Sequence, residues 1–432
     1  MKVGFISLGC SKNLVDSEKM MGMLTANGHT LVAHPPQADA IVINTCGFIT
    51  SAKEEAISTI FEMAAYKQAN LKKLIVVGCL AQRYKEQLEE EIPEIDAVVR
   101  ISDYGSLHEV LARELNDAGS VTFAQAKRQL TSKPWTAYLK IAEGCSNHCA
   151  YCAIPLIRGD NVSVPMEKLV SEAKELAKRG VKELVLNAQD TTKYGVDLYG
   201  RRSLLPLLQQ LHAIEGFHWI RILYMYPDEI DDELIEGMAG LPKVLPYFDI
   251  PMQHADRQML ERMNRRGTKE DVLKLVEKIR STFADPTLRT TFIVGFPGEN
   301  RETMDELLQF VREVRWDRMG AFTYSPEEDT PGSLMKPVCE ESLKQQYLDE
   351  LMKLQEQIAW ENQQKKLGKV IEVLVEDKDG LTNRYRGRSA WDAPDEVDGM
   401  VIFRSDRAIE PGTFVQVRIT EVLVHDVIGV EV

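Results

Sequence analysis

Seven cysteines stand at positions 10, 46, 79, 145, 149, 152 and 339. Three of them, Cys145, Cys149 and Cys152, fall in EGCSNHCAYCAIP, a C-x3-C-x2-C run. Thiolates at this spacing on one tight loop can each bind a different iron of a 4Fe–4S cubane, which leaves the fourth iron open to another ligand. A zinc knuckle is the alternative. Zinc sites normally carry four ligands in paired spacings, and the nearest fourth candidate is His148, inside the loop itself.

Cys10, Cys46 and Cys79 lie far apart in the chain but share one local address. They follow KVGFISLG, AIVINT and KLIVVG, and each precedes a helical pattern. In open α/β sheets, ligands bind at the C-terminal edge of the strands. Helix N-termini and loop N–H groups at that edge favour an anionic thiolate cluster. A single cysteine is often only a small core residue. Three at one address read as a second iron–sulfur site, with three unrelated core thiols as the alternative. Cys339 has no comparable setting and reads as core filler. An odd count in a long chain argues against a disulfide framework.

The elements that must hold these residues are legible from periodicity. A chain of 432 residues suggests about three domains. Over 1–125, short apolar runs alternate with helical segments such as SAKEEAISTIFEMAAYKQ, so an open parallel α/β sheet domain is expected. AQAKRQLTSKP (124–134) reads as a polar linker. Over 131–366, AYLKIAE, ELVLNAQ, WIRILYMY, YFDIPMQ, LRTTFIVGF and MGAFTYS alternate with amphipathic helices. Six such repeats suggest a partial (βα)6 barrel. A charged helix at 340–366 carries Leu343, Tyr347, Leu351, Leu354 and Ile358 on one stripe. From 367 to 432, VIEVLVE, GMVIFR, FVQVRITEVLV and VIGVEV read as a small β-barrel. The fold class is α/β with that β-module appended. No run of about 18 apolar residues occurs, and MKVGFISLGCSKN lacks a secretory apolar core. A cytoplasmic protein with no membrane partner is expected.

The triplet matches the signature of the radical S-adenosylmethionine (SAM) superfamily. That resemblance implies a 4Fe–4S cluster whose open iron binds SAM and delivers an electron to its sulfonium, giving a 5′-deoxyadenosyl radical. It also implies that Tyr151 lies against the adenine, and that TTFIVGFPGE cradles SAM around Gly295 and Pro297. Gln189 and Asp190, at the end of the second barrel strand, fall where the superfamily contacts the SAM amino group; either could instead be a helix cap. Arg221 and Gln253, on later strands, are candidates to face the barrel interior. Arg221 could pair with the SAM carboxylate or form an ordinary buried ion pair.

Three spread N-terminal cysteines, the triplet and a C-terminal β-module together resemble the methylthiotransferase family over nearly the whole chain. The resemblance implies an auxiliary 4Fe–4S cluster on Cys10, Cys46 and Cys79, an OB-like TRAM module at the C-terminus, and a flavodoxin- or ferredoxin-type electron donor. It implies two SAM molecules, one for the radical and one for the methyl group, so that a C–H becomes C–S–CH3. One branch of the family modifies a prenylated adenosine in tRNA. The other modifies the β-carbon of an aspartate in the small-subunit ribosomal protein of the decoding centre. GCSKNLVDSE, NAQDTTKYGVDLY, YMYPDEI, DIPMQHAD and RSAWDAPDEVDG resemble the second branch.

Charge points the same way. The chain carries 52 basic and 66 acidic residues, net -14. Residues 368–432 hold thirteen acidic and eight basic ones. An RNA-binding module should be basic, whereas an acidic one suits a basic protein loop. tRNA is therefore the less expected partner, with a plain solvated surface as the lesser alternative reading of these charges. One departure stands out. The family usually has R-G-x-x-x-S-R after the triplet, and here Arg158, Gly159 and Ser163 are followed by Val164.

Overall fold

The β-branched runs of the first hundred residues form the strands expected of them. In the computed structural model, which describes every residue except 118, 381 and 395–397, the first sheet contains β1 (Lys2–Ser7), β2 (Thr30–Val32), β3 (Ala40–Thr45), β4 (Lys73–Gly78) and β5 (Ala97–Val99). All pairs are parallel, in the order β2-β1-β3-β4-β5. The helices are α1 (Ser11–Ala26), α2 (Thr50–Ala64), α3 (Cys79–Glu91) and α4 (Leu107–Leu115). Alternation along the strands divides the core in two. Ile41, Ile43, Leu74 and Val76 face α2 and α3. Ala40, Val42, Ile75 and Val77 face α1 and α4.

The chain gathers into two compact units. The first is Met1–Thr131 with Glu143–Val162 and Ser325–Ser333; the second is Ser132–Ala142, Ser163–Tyr324 and Leu334–Val432. The triplet loop, its helix α5 (Ile154–Arg158) and a later short segment thus group with the N-terminal sheet. Within this unit Lys53 pairs with Glu327 at 2.9 Å, and Tyr84 donates to Glu328 at 2.8 Å. The polar stretch from 124 is docked rather than loose. Arg128 forms a buried ion pair with Glu18 of α1 at 2.5 Å, and the backbone N–H of Thr131 donates to the same carboxylate at 2.8 Å. A buried carboxylate needs such partners, and this one recruits the connection.

The second unit holds the six expected barrel strands. Two short strands, β7 (Ala142–Glu143) and β8 (Val162–Ser163), follow β6 (Thr136–Lys140). Next come β9 (Glu183–Asn187), β10 (Trp219–Ile222), β11 (Tyr247–Asp249), β12 (Thr287–Val294) and β13 (Arg318–Thr323). They form two parallel three-stranded sheets, β6-β9-β10 and β11-β12-β13. Between them, Ile220 of β10 bridges to Val244, just before β11. The helix Glu341–Gln364 buries Tyr347, Leu351 and Ile358 as expected, but Leu343 and Leu354 are only half-buried. Polar side chains fill the stripe instead. Lys344 donates to the Tyr324 carbonyl and Gln355 to that of Trp316, both at 3.0 Å.

The C-terminal residues form a closed barrel, β14-β15-β16-β18-β17, from β14 (Val370–Lys378), β15 (Arg384–Ser389), β16 (Val401–Arg404), β17 (Phe414–Val422) and β18 (Val427–Glu431). The arginine-rich β15 (RYRGRS) carries no apolar alternation and was not evident from pattern. This barrel is joined to the starts of the strands in the same unit. Glu183, first residue of β9, takes Arg221 at 3.0 Å and Arg388 at 2.5 Å. Tyr247, first of β11, donates to Asp398 at 2.5 Å, and Arg318, first of β13, pairs with Asp392. Trp219 meets Phe414 edge-on, ring centroids 4.7 Å apart. The module therefore caps the N-terminal ends of the barrel strands. Part of its acidic charge is therefore not at the surface, since the side chains of Asp392 and Asp398 are buried pairing partners. Among the described residues, no helix is long and apolar enough to cross a membrane.

Two outcomes follow for this junction. Arg388→Ala leaves a buried carboxylate short of a partner and should destabilise the fold by about 3–5 kcal/mol in chemical denaturation. Burial raises the Glu183 pKa, but Arg388 and Arg221 prevail and hold it at about 2, below its ordinary 4.5. A depressed carboxylate stabilises the fold fully above its unfolded pKa. The contribution should thus be complete above about pH 5 and disappear as the pH falls towards 2, read as a loss of denaturation midpoint that Glu183→Gln does not show.

Candidate iron–sulfur sites

Cys10, Cys46 and Cys79 close the C-terminal ends of β1, β3 and β4, three consecutive neighbours in the sheet. Cys10 is the N-cap of α1, and Cys79 opens α3. A glycine sits beside each cysteine. A Cβ on Gly9 would lie 2.9 Å from Cys46 Cβ; one on Gly47 would lie 2.8 Å from the Leu80 nitrogen; one on Gly78 would lie 2.5 Å from the Thr45 carbonyl oxygen. These turns can approach one another only without side chains. Gly78 also has φ +98°, a conformation glycine adopts readily.

Asn13, fully buried, ties the three ends together. Its Nδ2 donates to the carbonyls of Leu8 at 3.0 Å and Thr45 at 3.1 Å. Its Oδ1 accepts from Arg158 and lies 3.6 Å from Cys79 Sγ. Asn44 donates in turn to the Asn13 carbonyl at 2.9 Å. Arg158, from α5, reaches Cys79 Sγ at 3.5 Å, Glu143 at 2.6 Å and Asp16 at 3.3 Å.

The thiols differ. Burial pushes Cys79 up to about 11 against the pull of Arg158, with Cys46 and Cys10 adding to the rise. Burial also raises Cys46, opposed by the N–H groups of Phe48 and Gly47. Cys10 is exposed as a residue, yet its sulfur is partly desolvated, which raises it. Lys12, Arg158 and the N–H groups of Asn13 and Lys12 outweigh that, and the thiol lies below its ordinary range. Cys10 thus opposes the ionisation of Cys46, and Cys46 and Cys10 that of Cys79; a polycationic iron core would supply the charge that lets all three ionise. No three His, Cys, Asp or Glu among the described residues are gathered tightly enough for a single metal ion. A cubane asks less, because each thiolate binds its own iron.

The triplet loop is shaped by its own backbone. Gly144, φ +74°, has no room for a Cβ, which would fall 2.2 Å from the Asp160 carbonyl oxygen. The N–H of Cys145 donates to the Gly159 carbonyl and that of Cys152 to Cys149, both at 3.0 Å. His148 has φ +49° and its Nε2 lies 3.1 Å from Asp160, so a carboxylate at the loop edge engages the zinc alternative's fourth ligand. Tyr151 is half-buried on the same loop. Ala153 and Ile157 of the following segment pack against Cys79.

The remaining expected residues lie in the second unit. Gln189 follows β9, and its Oε1 is buried with no hydrogen-bond partner among the described residues. Such an atom calls for a donor. Asp190 takes the N–H and hydroxyl of Thr192 at 3.1 and 2.6 Å and so closes its own turn. Arg221 is wholly enclosed. Besides Glu183 it donates to the carbonyls of Ala390 and Ser389, so its guanidinium is committed to the junction with the C-terminal barrel, the ordinary buried pair of the two readings. Gln253 has φ +71° and exchanges backbone hydrogen bonds with Thr291 and Ile293, each at 2.8 Å. Gly295 and Pro297 form the turn after β12. Two residues missed by sequence reasoning fix that turn. Glu299 accepts from the Gly295 N–H with one oxygen and holds buried His254 at 3.0 Å with the other. The Asp256 N–H donates to His254 Nδ1, so Nε2 carries the proton. The signal was His254 within DIPMQHAD. Val164 is held by its backbone, N–H to Ile141 and carbonyl to Tyr194, both at 2.9 Å. Cys339 is buried, as filler should be. Part of RSAWDAPDEVDG, residues 395–397, lies outside the described residues.

A sheet with cysteines on three adjacent strand ends, a C-x3-C-x2-C loop and a partial barrel define a radical SAM enzyme with a second cysteine site. Family profiles agree: the uncharacterized protein family UPF0004 matches 2–100, the radical SAM superfamily 139–311 and the TRAM domain 367–432. Among solved structures, the radical SAM methyltransferase TsrM of Kitasatospora setae has a similar fold (TM-score 0.55, 12% identity, 77% of each chain). So does the cobalamin-dependent SAM radical enzyme OxsB (TM-score 0.53, 13% identity, 83% of this chain and 56% of that one). The ribosomal protein uS12 methylthiotransferase RimO of Clostridioides difficile is 48% identical over 438 residues, 99% of this chain and 98% of the relative. That of Caldicellulosiruptor saccharolyticus is 44% identical over 439 residues, 99% of each. The chain belongs to the radical SAM methylthiotransferase family, in its RimO branch, whose cofactors are SAM and 4Fe–4S clusters.

Asn13→Ala removes two donors and strands the buried carbonyls of Leu8 and Thr45. At about 1–3 kcal/mol per stranded group, a lower denaturation midpoint and reduced iron retention on gel filtration are expected. Asn13→Asp, which keeps the acceptor but not the donors, should fall with it.

Proposed function

We propose that the chain inserts a methylthio group at the β-carbon of an aspartate in ribosomal protein uS12, with SAM and two 4Fe–4S clusters. The observation that carries this is the pair of cysteine threes within one compact unit, in a chain matched end to end by uS12 methylthiotransferases. Cys145, Cys149 and Cys152 hold the radical cluster. Cys10, Cys46 and Cys79 hold the auxiliary one, on strand ends whose glycines let them converge. A 4Fe–4S cluster held there with one open iron would supply one-electron reduction of bound SAM, with the electron coming from a donor protein.

The protein's own part is placement. Gln189 Oε1 accepts from the SAM ammonium, and Tyr151 lies against the adenine. The Gly295–Pro297 turn, stiffened by Glu299 and His254, presents backbone to the cofactor. Asp190 and Gln253 shape the neighbouring turns. Arg221 serves the fold. The three domains are 1–125, 131–366 and 367–432, the first lending its sheet to the triplet loop. A flavodoxin- or ferredoxin-type protein donates the electron, the enzyme works in the cytoplasm, and tRNA is not its substrate.

The test is direct. Reconstituted, reduced enzyme with SAM and a sulfur source is given uS12 and, separately, prenylated tRNA. Mass spectrometry should find CH3S in place of one hydrogen on uS12 and unmodified tRNA; the reverse would move the chain to the tRNA branch. Replacing Cys10, Cys46 and Cys79 with Ala should remove about half of the bound iron, and an unchanged iron count would sink the two-cluster assignment.

A further inference from the structure

Arg158 belongs to the sequence segment that carries the triplet, yet its side chain ends among the other three cysteines. Only 2% of that side chain is exposed. One terminal nitrogen lies 3.5 Å from Cys79 Sγ and also donates to Asn13; the other meets Glu143 at 2.6 Å and Asp16 at 3.3 Å. The planar fork is thus held on both sides and cannot swing away from the sulfur. We propose that Arg158 is a positioning residue for the auxiliary cluster, donating to the ligating sulfur of Cys79 and raising that cluster's reduction potential. This rests on the reading of Cys10, Cys46 and Cys79 as cluster ligands.

The physical reason is charge. Cys79 Sγ stands for a thiolate once iron is bound. A hydrogen bond to a ligating sulfur draws electron density from it and favours the reduced cluster, which carries one more negative charge. In a buried setting the guanidinium acts with little screening. Asp16 and Glu143 oppose it, being anions on the same fork. The site is therefore a balance in which each partner has a sign. Removing the fork should make the cluster harder to reduce; removing an opposing carboxylate should make it easier. A lysine, with one nitrogen and no fork, cannot serve the sulfur, Asn13 and the carboxylates together.

The test uses the full-length chain with Cys145, Cys149 and Cys152 replaced by Ala, so that a reconstituted protein holds the auxiliary cluster alone. Dithionite titration followed by EPR reads its midpoint potential, and an iron assay reads its loading. Arg158→Lys should shift the midpoint to more negative values and Glu143→Gln to more positive ones, with iron per chain unchanged in both. Glu143 is partly exposed, so its variant still decides the matter if Arg158→Lys does not fold. Midpoints equal to the parent's at full loading overturn the proposal, and so do two shifts of the same sign. A parent that binds no iron overturns the cluster assignment itself, and the proposal with it.

Discussion

The parallel adjacency of β1, β3 and β4 is the constraint on which the auxiliary site depends. Neighbouring strands lie about 4.8 Å apart, so three consecutive ends span roughly 10 Å, the scale over which thiolates can share one polynuclear core. Adjacency alone is insufficient, because each strand end must turn into a loop without pushing its neighbours away. Gly9, Gly47 and Gly78 meet that need, each with another turn where its side chain would be. Asn13 and Asn44 then lock the ends with buried hydrogen bonds. Sheet order, glycines and asparagines form one device.

Much of this was legible in the chain. The β-branched runs before Cys10, Cys46 and Cys79 gave both strand and address, because fully buried parallel strands read as continuous apolar segments. The C-x3-C-x2-C spacing gave the triplet. What escaped had physical reasons. Strand β15 is built on Arg384, Arg386 and Arg388, and its Arg388 is inward-facing because it meets Glu183, a partner about two hundred residues away. The helix 341–364 buries Lys344 and Gln355 where a leucine stripe was expected, since their ends find backbone carbonyls. Arg221 admitted both a ligand and a structural reading for one reason: a lone cation on a barrel strand must find an anion, and sequence does not say whose. Glu299 and His254 lie in stretches that the sequence singled out, but their pairing is tertiary and could not be read there.

The second unit separates its tasks along the strands. Strand starts carry Glu183, Tyr247 and Arg318, all committed to the C-terminal barrel. Strand ends carry Gln189 and the Gly295 turn, with an unpartnered amide oxygen and a loop stiffened by Glu299. Charge used for cohesion and an amide oxygen with no partner among the described residues thus occupy opposite ends of the strands. The acidic composition of the last 65 residues, counted from Gly368, belongs partly to that cohesion.

The first unit is assembled from three separated stretches, Met1–Thr131, Glu143–Val162 and Ser325–Ser333. Its cysteines at 10, 46 and 79 are made early, but the cation beside them arrives at 158 and the strut that meets Lys53 and Tyr84 only after residue 324. During synthesis the sheet is therefore present before its surroundings are complete. Until the later stretches emerge, Asn13, Asp16 and Cys79 stand without the guanidinium that joins them. The surroundings of the three cysteines are thus complete only once the chain has been made past residue 333.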